Sequence, residues 1–328
     1  MHSNRRVIRN FLALGSGEMV SRLIAFAATV YIARVLGADG YGVIAFAVGI
    51  NLYFSKIADF AIESVGAKEI ARNRQSLAQL ASAVMGVRIA LALFVTALSV
   101  LAVQLLVPEP ERSVLSLYLL TMIPIAASTK WIHVGLEDTR PIGIARVLGE
   151  TLGLAIVLAV MLHSADLWAP PVAQIASEAL IAFILMMVLR RRGHVFKISW
   201  NPGTALPVFK AALPLLVHTL LGLLIYNSDL IFLRLFRDSE QLGYYAAAYT
   251  LISLLSNLGI AYGMSLLPTL TRIGAGTAEE KDLYHTALAQ VYAVCFPVAI
   301  GGCLLAERII GLAFGPQYSA SILVLQVP

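Results

Sequence analysis

The sequence predicts an all-α polytopic membrane protein, and three observations predict it. Of the 328 residues, 59% are hydrophobic and 13% are charged, against about 25% charged in a soluble domain. The mean hydropathy is +0.81. The apolar residues fall in runs of about 20 or more, the length a helix needs to cross a hydrocarbon core about 30 Å thick. Helices and closed barrels are the structures that satisfy every backbone polar group in lipid, and barrel strands would be alternating stretches of about 10 residues. These runs are far longer and rich in Ala and Leu, so the spans are helical.

The same composition excludes several classes. Two cysteines, Cys295 and Cys303, make no disulfide framework, and the chain contains no CxxC or HExxH spacing; a structural zinc, a redox motif and a metal or organic cofactor have no support. A net charge of +5 would suit nucleic acid if Lys and Arg clustered on a soluble face, but here they sit between apolar stretches. No nucleotide-binding loop and no Ser/His/Asp arrangement is present, and the loops are too short for a catalytic domain, so an enzyme is not expected.

Taken in order, the runs predict nine spans and the start of a tenth. The first, Asn10 to Leu36, follows Arg5, Arg6 and Arg9; Glu18 and Arg22 interrupt it, which a cleaved signal peptide would not tolerate. The second is Tyr41 to Phe60, and Ile62 to Gln79 after it, with Lys68, Glu69, Arg72 and Arg74, reads either as an amphipathic helix on the inner surface or as a solvated loop. Leu80 to Val107, Leu115 to Leu136, Pro141 to Leu162 and Leu167 to Leu189 complete the first set, and the basic stretch Arg190 to Lys197 follows. Pro207 to Phe236, Gly243 to Leu267 and Ala287 to Ala306 come next, and a run from Ile309 stops at Pro328.

With a cytoplasmic N-terminus the inside segments carry Arg5, Arg6, Arg9, Lys68, Arg72, Arg74, Lys130, Arg140, Arg190, Arg191, Arg192, Lys197, Lys210, Arg272 and Lys281, and the outside segments carry Arg112, Arg237 and Arg308. That imbalance is what the positive-inside rule demands, and it holds loop after loop. A multi-pass membrane protein with its N-terminus on the cytoplasmic side is the expected topology.

The segment Ile32 to Ala47 recurs in outline as Phe232 to Ala248, with Arg34 against Arg234 and Gly42 against Gly243. The chain therefore reads as two parallel halves: residues 1–200, a six-helix bundle with its cytoplasmic linker, and residues 201–328, the start of a second bundle that breaks off in its fourth helix. Parallel repeats of this kind are a transporter architecture. On this reading the chain is a C-terminally shortened piece of a twelve-span protein.

Six basic residues (Arg22, Arg34, Lys56, Arg88, Arg146, Arg234) and five acidic ones (Glu18, Asp59, Glu150, Glu178, Asp229) lie within the spans. At about 3 kcal/mol each, they cannot all face lipid. Arg34, Lys56, Asp59 and Arg234 lie near span ends, where a long side chain reaches the interface, so they are the weaker candidates. Glu18 and Arg22 share one helix face by their i,i+4 spacing, Arg146 and Glu150 repeat it, and Arg88 and Glu178 lie at similar depth. Together they predict a hydrated cavity; static ion pairs pinning helices are the other reading. Asp229, after Asn227 and Ser228, reads as a cation or proton site or as a polar contact between helices.

The charged first span with Glu18 and Arg22, then ARVLGADGYGVIAFA and KEIARNR, and in the second half YNSDLIFLRLF, GYYAAAY and FGPQYSASILVL, resemble the polysaccharide (O-antigen, Wzx-type) flippases of the MATE/MOP superfamily. The resemblance implies two six-helix bundles around a central cavity. It further implies a protein of the bacterial inner membrane that turns a lipid-linked oligosaccharide, carried on undecaprenyl pyrophosphate, from the cytoplasmic to the outer leaflet by alternating access, with H⁺ or Na⁺ gradients as drivers and a polysaccharide polymerase and membrane lipid as partners. Carried onto this chain, it puts Arg22, Arg88, Arg146 and Glu178 in the substrate cavity and Glu18, Glu150 and Asp229 at ion or proton sites. Three other readings stand beside it: a multidrug exporter of the same superfamily, a lipid II flippase, and a non-transporting membrane scaffold of a polysaccharide synthesis complex.

Overall fold

The computed structural model describes residues 2–163, 165–273 and 276–327, the side chains before Gly15 and several between 257 and 272 excepted. Arg5, Arg6, Arg9 and Arg272 of the inside charge count therefore lie outside the described side chains, and Pro328 outside the described residues. The described residues form helices and no strands, and seven helices are long and apolar enough to cross a membrane. The protein is an all-α polytopic membrane protein. Its surface agrees: Leu106 is 81% exposed and Phe236 79%, a placement that water penalises and acyl chains do not.

The first two predicted spans are two helices that meet at a kink, treated together as α1 (His2–Asp59): at Gly37 φ is 71 and ψ −179, so the helix ends there and a second begins. A side chain at that φ is strained although nothing crowds the position. The predicted amphipathic segment is a helix, α2 (Ile62–Arg72), entered through Phe60 and Ala61 at φ 52 and 55. It buries Ile62, Gly66, Ala67 and Ile70 on one face, and the solvated-loop reading falls. Helix α3 (Leu77–Leu106) is continuous, but the predicted fourth span is three short helices, α4 (Glu111–Leu119), α5 (Met122–Ala127) and α6 (Lys130–Gly135). Pro124 and the extended Ser128 interrupt it. Two long spans follow, α7 (Arg140–Val160) and α8 (Ala169–Arg191). Then come α9 (Pro202–Phe236), α10 (Ser239–Ile273) and α11 (Ala278–Leu304).

The chain divides into two compact units, Met1–Leu242 and Gly243–Pro328. In the first, α7 lies along both α1 and α8, and α9 packs on α1, α2 and α3. Small residues permit the closest approaches, as membrane packing requires without a hydrophobic drive between helices. A Cβ on Gly66 of α2 would meet the Trp131 ring of α6 at 2.6 Å, and one on Gly135 of α6 would meet the Ala67 carbonyl of α2 at 2.7 Å. Gly135→Val is therefore expected to force α2 off α6 and to destabilise the protein by about 1–3 kcal/mol, read as a lower unfolding temperature in detergent; an unchanged temperature would contradict this contact.

In the second unit the run from Ile309 is divided between α12 (Ala306–Ala313), a single turn of 3₁₀ helix (Pro316–Tyr318) and α13 (Ser321–Gln326). The division follows from Gly315, whose φ of 96 turns the chain before Pro316. Phe314 and Tyr318 are fully buried on either side of that turn. Tyr318 stands edge-on to Tyr244 with ring centroids 6.1 Å apart, and the Ser321 hydroxyl donates to the Tyr244 carbonyl at 2.8 Å. Two of the segments that carry the resemblance, GYYAAAY and FGPQYSA, thus pack on each other.

Candidate functional site

A cavity of about 410 Å³ lies inside the first unit. The C-terminal half of α1 builds one wall: Asn51, Ser55, Lys56 and Asp59 recur at three- and four-residue intervals, so they share one face. Helix α7 contributes Arg146, α8 contributes Gln174 and Glu178, and α1 returns near its start with Glu18. The broken fourth span supplies Thr121, Ser128 and Lys130, α2 supplies Glu63 and α3 supplies Arg88.

Most of the charges are paired. Arg88, 3% exposed, donates from Nη2 to Asp59 Oδ1 at 2.6 Å. It also donates to the carbonyls of Ile125 at 3.2 Å and Ser128 at 3.0 Å. The helix break leaves the Ser128 carbonyl without a helical partner, and the guanidinium supplies one. Arg146 holds Glu178 at 3.2 Å and Glu150 at 3.6 Å, and Lys130 holds Glu63 at 3.0 Å. Asn51 and Thr121 exchange hydrogen bonds at 3.1 and 3.3 Å. Four acidic side chains (Glu18, Asp59, Glu63, Glu178) face four basic ones (Lys56, Arg88, Lys130, Arg146) across the lining. Among the described residues, Lys56 is the lining cation that makes no ion pair.

Of the residues expected at a substrate cavity, Arg88, Arg146 and Glu178 line this one, and so do Glu18, Lys56 and Asp59. Arg22 does not: its side chain is 47% exposed and meets Glu18 at 4.0 Å. Glu150 stands behind Arg146 rather than in the lining. Asp229 lies on α9 within electrostatic reach of Tyr53, and Arg34 is exposed; neither lines the cavity. Arg234 sits at the far end of α9, where Nη2 and Nε donate to Glu111 at 2.5 and 3.0 Å.

Sequence reasoning passed over Asn51, Ser55, Glu63 and Lys130. The signal that finds the first three is polar periodicity, since Asn51, Ser55, Asp59 and Glu63 repeat every four residues. Lys130 carries no such signal, because its place depends on where the fourth span breaks.

A search of curated proteins finds no match. A family model described as "Polysaccharide biosynthesis protein" matches residues 7–274, from the first turns of α1 to the end of α10. A helical bundle that carries charged cavity walls within apolar spans, matched over most of its length, places this chain in the polysaccharide biosynthesis protein family.

Proposed function

We propose that the protein is a flippase that moves a lipid-linked oligosaccharide across the bacterial inner membrane, entering from the cytoplasmic side with its N-terminus inside. The observation that carries this reading is the cavity: eight charged side chains, with Asn51, Ser55, Thr121 and Gln174, line about 410 Å³ within apolar spans. Charge within apolar spans is costly unless it is paired or faces a polar cavity, and its retention there marks a site for a polar substrate. Carboxylates, guanidiniums and amides suit sugar hydroxyls, because each offers two parallel hydrogen-bonding positions. Four acids against four bases do not select an anion; the unpaired Lys56 does, and its ammonium meets a diphosphate as a point charge.

Arg146 is the hinge of the reading. Glu150 and Glu178 both hold its guanidinium, so a sugar or phosphate that takes one of its donors releases a carboxylate to accept a proton or Na⁺. Glu18, Glu150 and Asp229 are the candidate coupling groups.

The test deletes the gene and complements it with the wild type or with Lys56→Ala, Arg146→Ala or Arg22→Ala, each verified for membrane expression. The leaflet in which the lipid-linked glycan accumulates is then measured. The deletion, Lys56→Ala and Arg146→Ala should leave glycan on the cytoplasmic side, whereas Arg22→Ala, which breaks an exposed i,i+4 pair of about 0.5 kcal/mol, should behave as wild type. Normal glycan distribution in the deletion strain would refute the flippase, and sensitivity to cationic drugs would then favour the exporter. Normal distribution in both cavity variants would refute the site.

A further inference from the structure

A second concavity, about 360 Å³, lies on the other side of α8 from the charged cavity. Its walls are Pro124 and Ala127 of α5 and Ala179, Phe183 and Met186 of α8, all apolar, and at its end stands one charged residue, Arg190. The groove exists because α5 stops at Ala127 and because alanines stand where larger side chains would fill the space. An apolar groove without two or more polar partners does not hold ordered water.

Arg190 decides the occupant. It lies in the last turn of α8, exposed, and among the described residues it makes no ion pair, whereas Arg192 two positions later is held by Asp138. A free guanidinium at the mouth of an apolar groove complements one kind of molecule: an anionic headgroup with a hydrocarbon chain attached. Guanidinium binds phosphate through two parallel hydrogen bonds, and the cytoplasmic leaflet supplies anionic lipid where the positive-inside orientation puts this end of α8. Neighbouring residues of α8 separate the two sites, since Glu178, Ile181 and Leu185 line the charged cavity and Ala179, Phe183 and Met186 the groove.

We infer that the α5–α8 groove is a binding site for one anionic phospholipid, with an acyl chain between Pro124 and Phe183 and its phosphate on Arg190. The bound lipid then braces the helix that carries Glu178.

The test is native mass spectrometry of the purified, delipidated full chain titrated with phosphatidylglycerol or phosphatidylcholine. One phosphatidylglycerol should be retained in preference to phosphatidylcholine. Arg190→Gln should weaken its binding about fivefold, the effect of one basic residue near an anionic lipid. Ala179→Phe, which fills the groove at an exposed position, should abolish it, and Arg191→Gln should leave it unchanged. Equal retention of the two lipids, or wild-type retention by Arg190→Gln and Ala179→Phe, would overturn the assignment. So would displacement of phosphatidylglycerol by an equimolar polyprenyl phosphate, because the groove would then belong to a substrate tail.

Discussion

Arg234→Ala should destabilise the protein by about 3–5 kcal/mol, the effect of removing one partner from a buried ion pair. Glu111 has a side chain only 4% exposed, and Arg234 reaches it from 123 residues away, so the pair ties the start of α4 to the end of α9. The Ser239 hydroxyl donates to the same carboxylate oxygen at 3.1 Å. Without the arginine, that hydroxyl and the residue's own backbone N–H are left to face a charge removed from water. Thermal unfolding of the detergent-solubilised protein measures the loss. Glu111→Gln should be milder, because a neutral amide still accepts a hydrogen bond and the charge left behind is that of Arg234, the more exposed partner. The double variant Glu111→Leu/Arg234→Leu should recover much of the stability, since apolar replacement of a whole buried pair is often neutral or better. Wild-type stability in Arg234→Ala would mean that the pair contributes nothing.

Arg88→Ala should be comparably severe, and its pattern of rescue should differ. The guanidinium answers Asp59 and two carbonyls at the break in the fourth span, so its loss takes the partner from a carboxylate and from the Ser128 carbonyl at once. Removing the carboxylate too, in Asp59→Ala/Arg88→Ala, corrects the charge and leaves the Ser128 carbonyl unsatisfied at about 1–3 kcal/mol. The double variant should therefore recover only in part, unlike the Glu111–Arg234 pair. Arg88→Lys keeps the charge but lacks the fork needed to reach Asp59 and both carbonyls, and it should fall between wild type and Arg88→Ala. Full recovery in the double variant would show that the carbonyl contacts have no role. Both experiments separate stability from transport, because Lys56→Ala leaves no buried partner behind and should lose glycan translocation without losing fold.

Much of the fold is legible in the chain. Runs of apolar residues mark where helices cross, and their length is dictated by the hydrocarbon core, so α3, α7 and α8 lie within a few residues of their predicted spans. Less legible were the joints. Gly37 joins the two predicted spans across a kink with no loop between them, which the apolar pattern does not show. Gly315 does the reverse, dividing a continuous apolar run into two short helices.

The site was half legible, for a physical reason. Burying charge in lipid is expensive at any position, so Glu18, Arg88, Arg146 and Glu178 announce themselves from the sequence as residues that must be sheltered. Which shelter each one finds depends on the crossing of helices far apart in the chain. Lys56 and Asp59, near a span end, had the option of reaching the interface, and the packing of α1 turned both into the cavity instead. Arg22 had the spacing of a cavity residue, and the same helix leaves it largely exposed. The charged groups and the membrane-spanning helices were thus determined by the sequence alone, because hydropathy and charge are properties of residues. The tertiary structure decided which charges meet, because partners such as Asp59 and Arg88, or Glu111 and Arg234, come together only when separate helices pack.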